Sequence, residues 1–134
     1  SVIYDLWARK FAPQAMGNAG IFTTAIDMAK YARMILKKGK GLFFSNIVEE
    51  EMFNNYLPNA ARNRSFGWDM TRRLMIENFS PKSIWHSGSS GQSMWIDPIQ
   101  ERFCIILTNL FGEHDAGIAA RLDIANIIAK EIWN

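Results

Sequence analysis

Cysteine and histidine are almost missing from this sequence: 134 residues hold one cysteine, Cys104, and two histidines, His86 and His114. A single cysteine cannot close an intrachain disulfide. Cys104 stands inside the apolar run Phe103-Cys104-Ile105-Ile106-Leu107 with no basic neighbour to activate its thiol, so it reads as a small buried hydrophobe. No Cys/His pair has metal-ligand spacing, so no metal site is expected, and nothing calls for a cofactor. Charge of one sign is also scarce. The net charge is +2 with acids and bases interspersed, which argues against a nucleic-acid surface. The exception, Lys37-Lys38-Gly39-Lys40, reads as the solvated C-terminal end of a helix, where cations suit the macrodipole. No apolar run is long enough to span a membrane, and neither an internal repeat nor a low-complexity tract occurs.

What is present is apolar content enough, 49%, to build the core of one domain. Residues 1–16 mix aromatics with small residues, and Pro13 argues for an extended segment over the core. Thr24 followed by Asp27 resembles a capping box that starts a helix. Its expected buried stripe is Phe22, Ala25, Ala29, Ala32 and Leu36, with Ile26 and Tyr31 alongside. Ser45 can cap a second helix, with Ile47, Val48, Met52, Phe53, Tyr56 and Leu57 as its stripe and Pro58 as its stop. Glu49, Glu50 and Glu51 then form a solvated first turn and not a catalytic carboxylate pair.

Phe66, Trp68 and Met70 alternate with small or polar residues as in a strand, and Leu74-Met75-Ile76 can pair back on it. Ser80-Pro81-Lys82 turns the chain into Ile84-Trp85-His86-Ser87-Gly88. Alternation around Met94, Trp95 and Ile96 predicts a half-buried strand, and Asp97-Pro98 a turn. Phe103 to Leu107 has no polar residue and suits a strand in the middle of a sheet. A loop containing His114 leads to a final helix, capped by Asp115, whose buried face is Ile118, Leu122, Ala125, Ala129 and Ile132. Strands that follow one another without helical crossovers form an antiparallel sheet. The expectation is therefore an α+β fold with about five short strands flanked by helices.

Three stretches in order carry a family resemblance. His86-Ser87-Gly88, with glycine-rich residues behind it and Asp97-Pro98 further on, resembles the site strand of the serine β-lactamase-like superfamily. That superfamily includes class C β-lactamases, D-Ala-D-Ala peptidases of the penicillin-binding type and related esterases. Gly17 to Tyr31 looks like the same family's Gly-Gly and Ser-Thr motif helix, and Ser65-Phe66-Gly67-Trp68 is similar to its aromatic-glycine strand. The lactamases usually carry Lys-Thr-Gly where this chain has His86-Ser87-Gly88; a histidine there is found in some peptidases and esterases.

The family's nucleophile lies in Ser-x-x-Lys, where one helical turn brings the amine to the hydroxyl, and Tyr-x-Asn supplies a second proton-transfer group. Ser1, Ser45, Ser65, Ser80, Ser83, Ser87, Ser89, Ser90 and Ser93 all lack a lysine three residues on. Tyr4, Tyr31 and Tyr56 all lack an asparagine two residues on. The resemblance therefore implies that residues 1–134 are a single partial domain, the C-terminal part of the family's fold, with no nucleophile of its own and inactive alone. Within that part His86 would take the lysine's place, lending a proton or positive potential near the leaving group. Histidine as a residue type changes charge near neutral pH, unlike lysine. Ser87 would offer its hydroxyl to a substrate carboxylate and Gly88 would leave room for the substrate. The Ser89 N–H would be one of two oxyanion donors.

The substrate implied is a β-lactam, a D-Ala-D-Ala-type or peptidoglycan-type peptide, or a small ester. A periplasmic or extracellular place follows from resemblance alone. The alternative is a non-catalytic binding or scaffolding module, in which Trp7, Trp68, Trp85, Trp95 or Trp133 would contact a ligand or partner. In either case a sheet without its first strands leaves an edge open, so self-association through that edge or the closing helix is expected.

Overall fold

The structure is a computed structural model that describes residues 5–14, 17, 19–39, 47–58, 61–109 and 114–133. Among them are helices α1 (Leu6–Phe11), α2 (Ala25–Leu36) and α3 (His114–Trp133) and strands β1 (Ile84–Ser87), β2 (Ser93–Asp97) and β3 (Arg102–Ile106). The strands form one antiparallel sheet in the order β1-β2-β3. Ile84, Trp85 and His86 face Ile96, Trp95 and Met94, and Met94, Trp95 and Ile96 face Ile105, Cys104 and Phe103.

This register sorts side chains into two cores. Ile84, Met94 and Ile96 point to the α2 side and pack with Ala32, Met34, Ile35, Val48, Trp68 and Met70. Trp85, Trp95 and Cys104 point to the α3 side and pack with Met75, Ile76, Phe79, Ala125 and Ala129. The layers are helix, sheet, helix. Hence β2 is buried along its whole length, not on one face only as its alternation predicts, because a helix covers each side. Ile96 is fully enclosed, and truncating such a side chain to alanine costs about 2–5 kcal/mol.

The expected α+β content is present, but the sheet has three strands among the described residues and not five. Gly67, at φ +81°, turns the chain so that the Ser65 N–H donates to the Trp68 carbonyl at 3.0 Å. Asp69 then makes a single rung on Trp85, N to O and O to N at 2.9 Å. Its carboxylate Oδ1 accepts the Thr71 N–H at 2.7 Å, a local turn that ends the pairing after one residue. The expected strand at Leu74-Met75-Ile76 begins instead as the 3-10 turn Arg72–Leu74.

Other boundaries differ for equally local reasons. Residues 6–11 are helical and not extended, because the Asp5 carboxylate accepts the Ala8 N–H at 2.8 Å and Pro13 lies beyond the helix end. The second expected helix reduces to one π-type turn, Ile47–Glu51, and Ser45, its expected cap, lies outside the described residues. Thr24 caps α2 as expected: its Oγ accepts the Asp27 N–H at 3.2 Å. The helix closes with Lys38 and Gly39 N–H groups donating back to Ile35 and Met34 at 2.9 Å. Of its expected stripe, Phe22 and Ala25 are exposed and burial begins a turn later, around Met28. Helix α3 starts at His114, so Asp115, the expected cap, stands inside its first turn. Leu122, Ala125 and Ala129 face the core as expected, whereas Ile132 is exposed and the Ile118 side chain lies outside the described residues.

Candidate active site

The residues singled out in sequence, His86, Ser87, Gly88 and Ser89, run along β1 and into the loop that joins it to β2. The hydrogen-bond alternation of an antiparallel sheet fixes which backbone groups point where. Trp85 exchanges both its backbone bonds with Asp69, so its N–H and C=O face outward, away from β2. Ile84, His86 and Gly88 therefore face β2, and the 2.8 Å bond from the Gly88 N–H to the Gln92 carbonyl agrees. Ser87, two residues after Trp85, turns its N–H and C=O to the outer edge. The only rung on that edge among the described residues is Asp69, one step below. The edge beside Ser87 is open.

Ser89 and Ser90 are the middle residues of a tight loop closed by a 3.1 Å bond from the Gly91 N–H to the Gly88 carbonyl. The Ser89 N–H meets no acceptor among the described residues. The His86 ring is exposed and its Nδ1 lies 2.9 Å from the Ser87 carbonyl. A carbonyl only accepts, so Nδ1 carries the hydrogen and Nε2 is the ring nitrogen turned to a ligand. His86, Ser87 and Ser89 thus stand close together at the end of β1 and the start of its loop.

The loop is held from behind. Gly91 adopts φ +109°, and a Cβ there would stand 2.0 Å from the Thr108 Oγ. In return the Thr108 hydroxyl donates to the Gly91 carbonyl at 2.7 Å, and the Gln92 amide donates to the Thr108 carbonyl at 3.1 Å. Gly88 faces the Gln92 side chain, which a Cβ would meet at 2.6 Å, so the loop interior is filled by Gln92.

Beneath this loop lies a residue that sequence reasoning passed over. Arg121 on α3 is only 4% exposed, and its Nη1 would stand 3.2 Å from a Gly91 Cβ. Its Nε has no hydrogen-bond partner among the described residues, and burial pushes its pKa down. A signal existed: Arg121 precedes Ala125 and Ala129 by one and two helical repeats, on the buried stripe itself. The candidate loop therefore lies against a buried guanidinium whose Nε has no partner among the described residues.

Several expectations separate from this site. His114 opens α3, and its side chain lies outside the described residues. Cys104 is buried, which raises its pKa and keeps the thiol protonated. Trp68, Trp85 and Trp95 are core residues, whereas Trp7 is exposed. A shallow groove of about 300 Å³ between Glu77, Asn78 and Lys130 shares no residue with the β1 edge. No group of three or more metal-ligating side chains occurs among the described residues, and no helix there is long and apolar enough to cross a membrane.

A family model described as Beta-lactamase matches residues 4–127, nearly the whole chain, while no curated protein matches. The match spans the motif helix α2, the Ser65–Trp68 turn and the His86-Ser87-Gly88 strand, the three stretches that carry the resemblance in sequence. The chain belongs to the β-lactamase family and has its serine-hydrolase-like fold.

Proposed function

We propose that this chain forms one wall of a serine acyl-transfer site acting on a β-lactam, a D-Ala-D-Ala-type peptide or a small ester, with the nucleophile supplied from outside these 134 residues. The observation that carries this reading is the open outer edge of β1 beside an exposed imidazole. A substrate in extended form can add to that edge as a further strand, bonding the Ser87 N–H and C=O. Its acyl oxygen would then sit near the Ser89 N–H, a donor fixed by the Gly88–Gly91 loop that costs no reorganisation when charge develops. His86 Nε2 exchanges a proton at the leaving group. Arg121 adds positive potential behind the loop, which suits an anionic substrate or oxyanion.

The absence of Ser-x-x-Lys and Tyr-x-Asn from the chain favours a second reading, a binding module that has kept the fold without the reaction. Covalent labelling separates the two. A fluorescent penicillin and an activated fluorophosphonate are each offered to this chain and to the complete gene product, and mass spectrometry locates the adduct. The acyl-transfer reading expects labelling of the complete product at a serine outside the 134 residues. Labelling of neither would leave the binding module. Labelling within this chain would overturn the placement of the nucleophile.

A further inference from the structure

Between β1 and β2 the sheet's ladder ends at a point where side chains replace backbone groups. Trp85 commits both its backbone groups to Asp69, so Trp85 and Trp95 face each other without mutual bonds, and Trp95 turns its N–H and C=O to Cys104 of β3. Bonded pairs recur at every second residue: Ser93 with Ile106 and, one step further in the same register, Gly91 with Thr108. A regular pair at that last position would run from the Gly91 N–H to the Thr108 carbonyl and from the Thr108 N–H to the Gly91 carbonyl. Neither bond occurs among the described residues. Side chains serve both acceptors instead. The Thr108 hydroxyl donates to the Gly91 carbonyl at 2.7 Å, and the Gln92 amide donates to the Thr108 carbonyl at 3.1 Å.

This exchange releases the Gly91 N–H, which closes the loop on the Gly88 carbonyl at 3.1 Å. That carbonyl belongs to the same peptide unit as the Ser89 N–H. The unit is planar and trans, so its C=O and N–H point in opposite directions. With the carbonyl drawn into the loop, the Ser89 N–H is aimed out of it. The chain of control is short. The Thr108 hydroxyl fixes the peptide between Gly91 and Gln92, Gly91 at φ +109° fixes the peptide before it, and that peptide's N–H fixes the direction of the Ser89 donor. Gln92 braces the same loop a second time: its Oε1 accepts the Ser90 hydroxyl at 3.1 Å and fills the space beside Gly88.

We infer that Thr108 is a positioning residue for acyl transfer, holding the Ser89 N–H in the direction a developing oxyanion needs, with Gln92 as its second arm. The inference rests on the acyl-transfer reading above and gives its oxyanion donor a cause in the neighbouring strand. Thr108 acts through Gly91 and not on the substrate. A donor held by its own loop alone would swing with the peptide between Gly91 and Gln92. One tied to the end of β3 keeps its direction while charge grows on the acyl oxygen, so no reorganisation is added to the barrier. The acyl oxygen carries little charge in the ground state. The effect therefore falls on the rate of acylation and not on the affinity for substrate.

Acylation of the complete gene product by a fluorescent penicillin, followed over a range of concentrations, separates the limiting rate from the half-saturating concentration. Thr108→Val keeps the size and removes the hydroxyl. It should lower the limiting rate by about tenfold or more and leave the half-saturating concentration within about twofold. Thr108→Ser restores the hydroxyl and should recover the rate to within about threefold of the parent, which a residue that only fills space would not do. Gln92→Met keeps bulk beside Gly88 and loses both amide bonds. It should slow acylation in the same manner, which guards against a Thr108→Val that fails to fold. An unchanged limiting rate in Thr108→Val and Gln92→Met overturns the inference and leaves acyl transfer in place. So does an equal loss in Thr108→Ser and Thr108→Val, or a loss carried by the half-saturating concentration. A parent product that is not acylated at all overturns the acyl-transfer reading, and this inference with it.

Discussion

Replacing Gly91 by alanine strikes the loop that shapes the candidate site, and its cost can be worked from the geometry. The new Cβ would lie 2.0 Å from the Thr108 Oγ and 3.2 Å from the Thr108 Cβ, so Thr108 must leave its rotamer. That breaks the 2.7 Å bond to the Gly91 carbonyl, worth about 1 kcal/mol. Alanine at φ +109° adds backbone strain of about 1–3 kcal/mol. The sum is about 2–4 kcal/mol, which at roughly 3–5 °C per kcal/mol lowers the melting temperature by about 10 °C. Urea unfolding followed by tryptophan fluorescence reads it, because Trp68, Trp85 and Trp95 are buried reporters. Thr108→Ala removes the Oγ from the clash, so Gly91→Ala should cost at least about 1 kcal/mol less in that background. A Gly91→Ala loss under about 0.5 kcal/mol, or an equal loss in both backgrounds, would refute the packing argument.

Other consequences follow from single residues. Burial alone would raise the Asp97 pKa, but hydrogen bonds from the Ser80 side chain and backbone, from Gln100 and from Ile99 outweigh it and hold the carboxyl below the ordinary 3.8. A depressed carboxyl pKa contributes stability above the unfolded value, so stability should fall as pH drops past about 3.8 and through the lower folded value. Asp97→Asn should flatten that acid limb in urea titrations at stepped pH, and an unchanged limb would place the acid sensitivity elsewhere. Arg121→Met replaces a buried guanidinium whose Nε has no partner among the described residues and should raise stability by about 1–3 kcal/mol; a loss of stability would refute that reading. His86→Ala should slow penicillin labelling of the complete gene product about a hundredfold. The urea midpoint of the chain should stay unchanged because the side chain is exposed, and equal labelling rates would remove His86 from the reaction.

The parts of this fold that were readable in sequence are those governed by local chemistry. Thr24 and Asp27 announce the start of α2 because a hydroxyl three residues before a free N–H has one good use. The three strands follow from short apolar runs between turn residues. What was not readable depends on partners distant in sequence. The burial of both faces of β2 comes from α2 and α3, which no window around Met94 contains. Asp69 looks like one residue of a strand, yet its own carboxylate ends the pairing by capturing the Thr71 N–H. Apolar Phe103 to Leu107 suggests a central strand, and among the described residues only β2 pairs with it. The candidate residues His86 to Ser89 stood out through their pattern, whereas Arg121 lies against their loop only because α3 folds over Gly91.

The central claim is that the outer edge of β1 receives an acyl substrate, and amide chemical-shift mapping tests it most directly. An N-acyl-D-Ala-D-Ala peptide is titrated into the isotope-labelled chain while every backbone amide is followed. The account expects the largest shifts at the Ser87 and Ser89 amides, with the His86 ring signals moving alongside. Unmoved Ser87 and Ser89 amides at tens of millimolar peptide, with shifts gathered instead around Glu77 and Lys130, would contradict it.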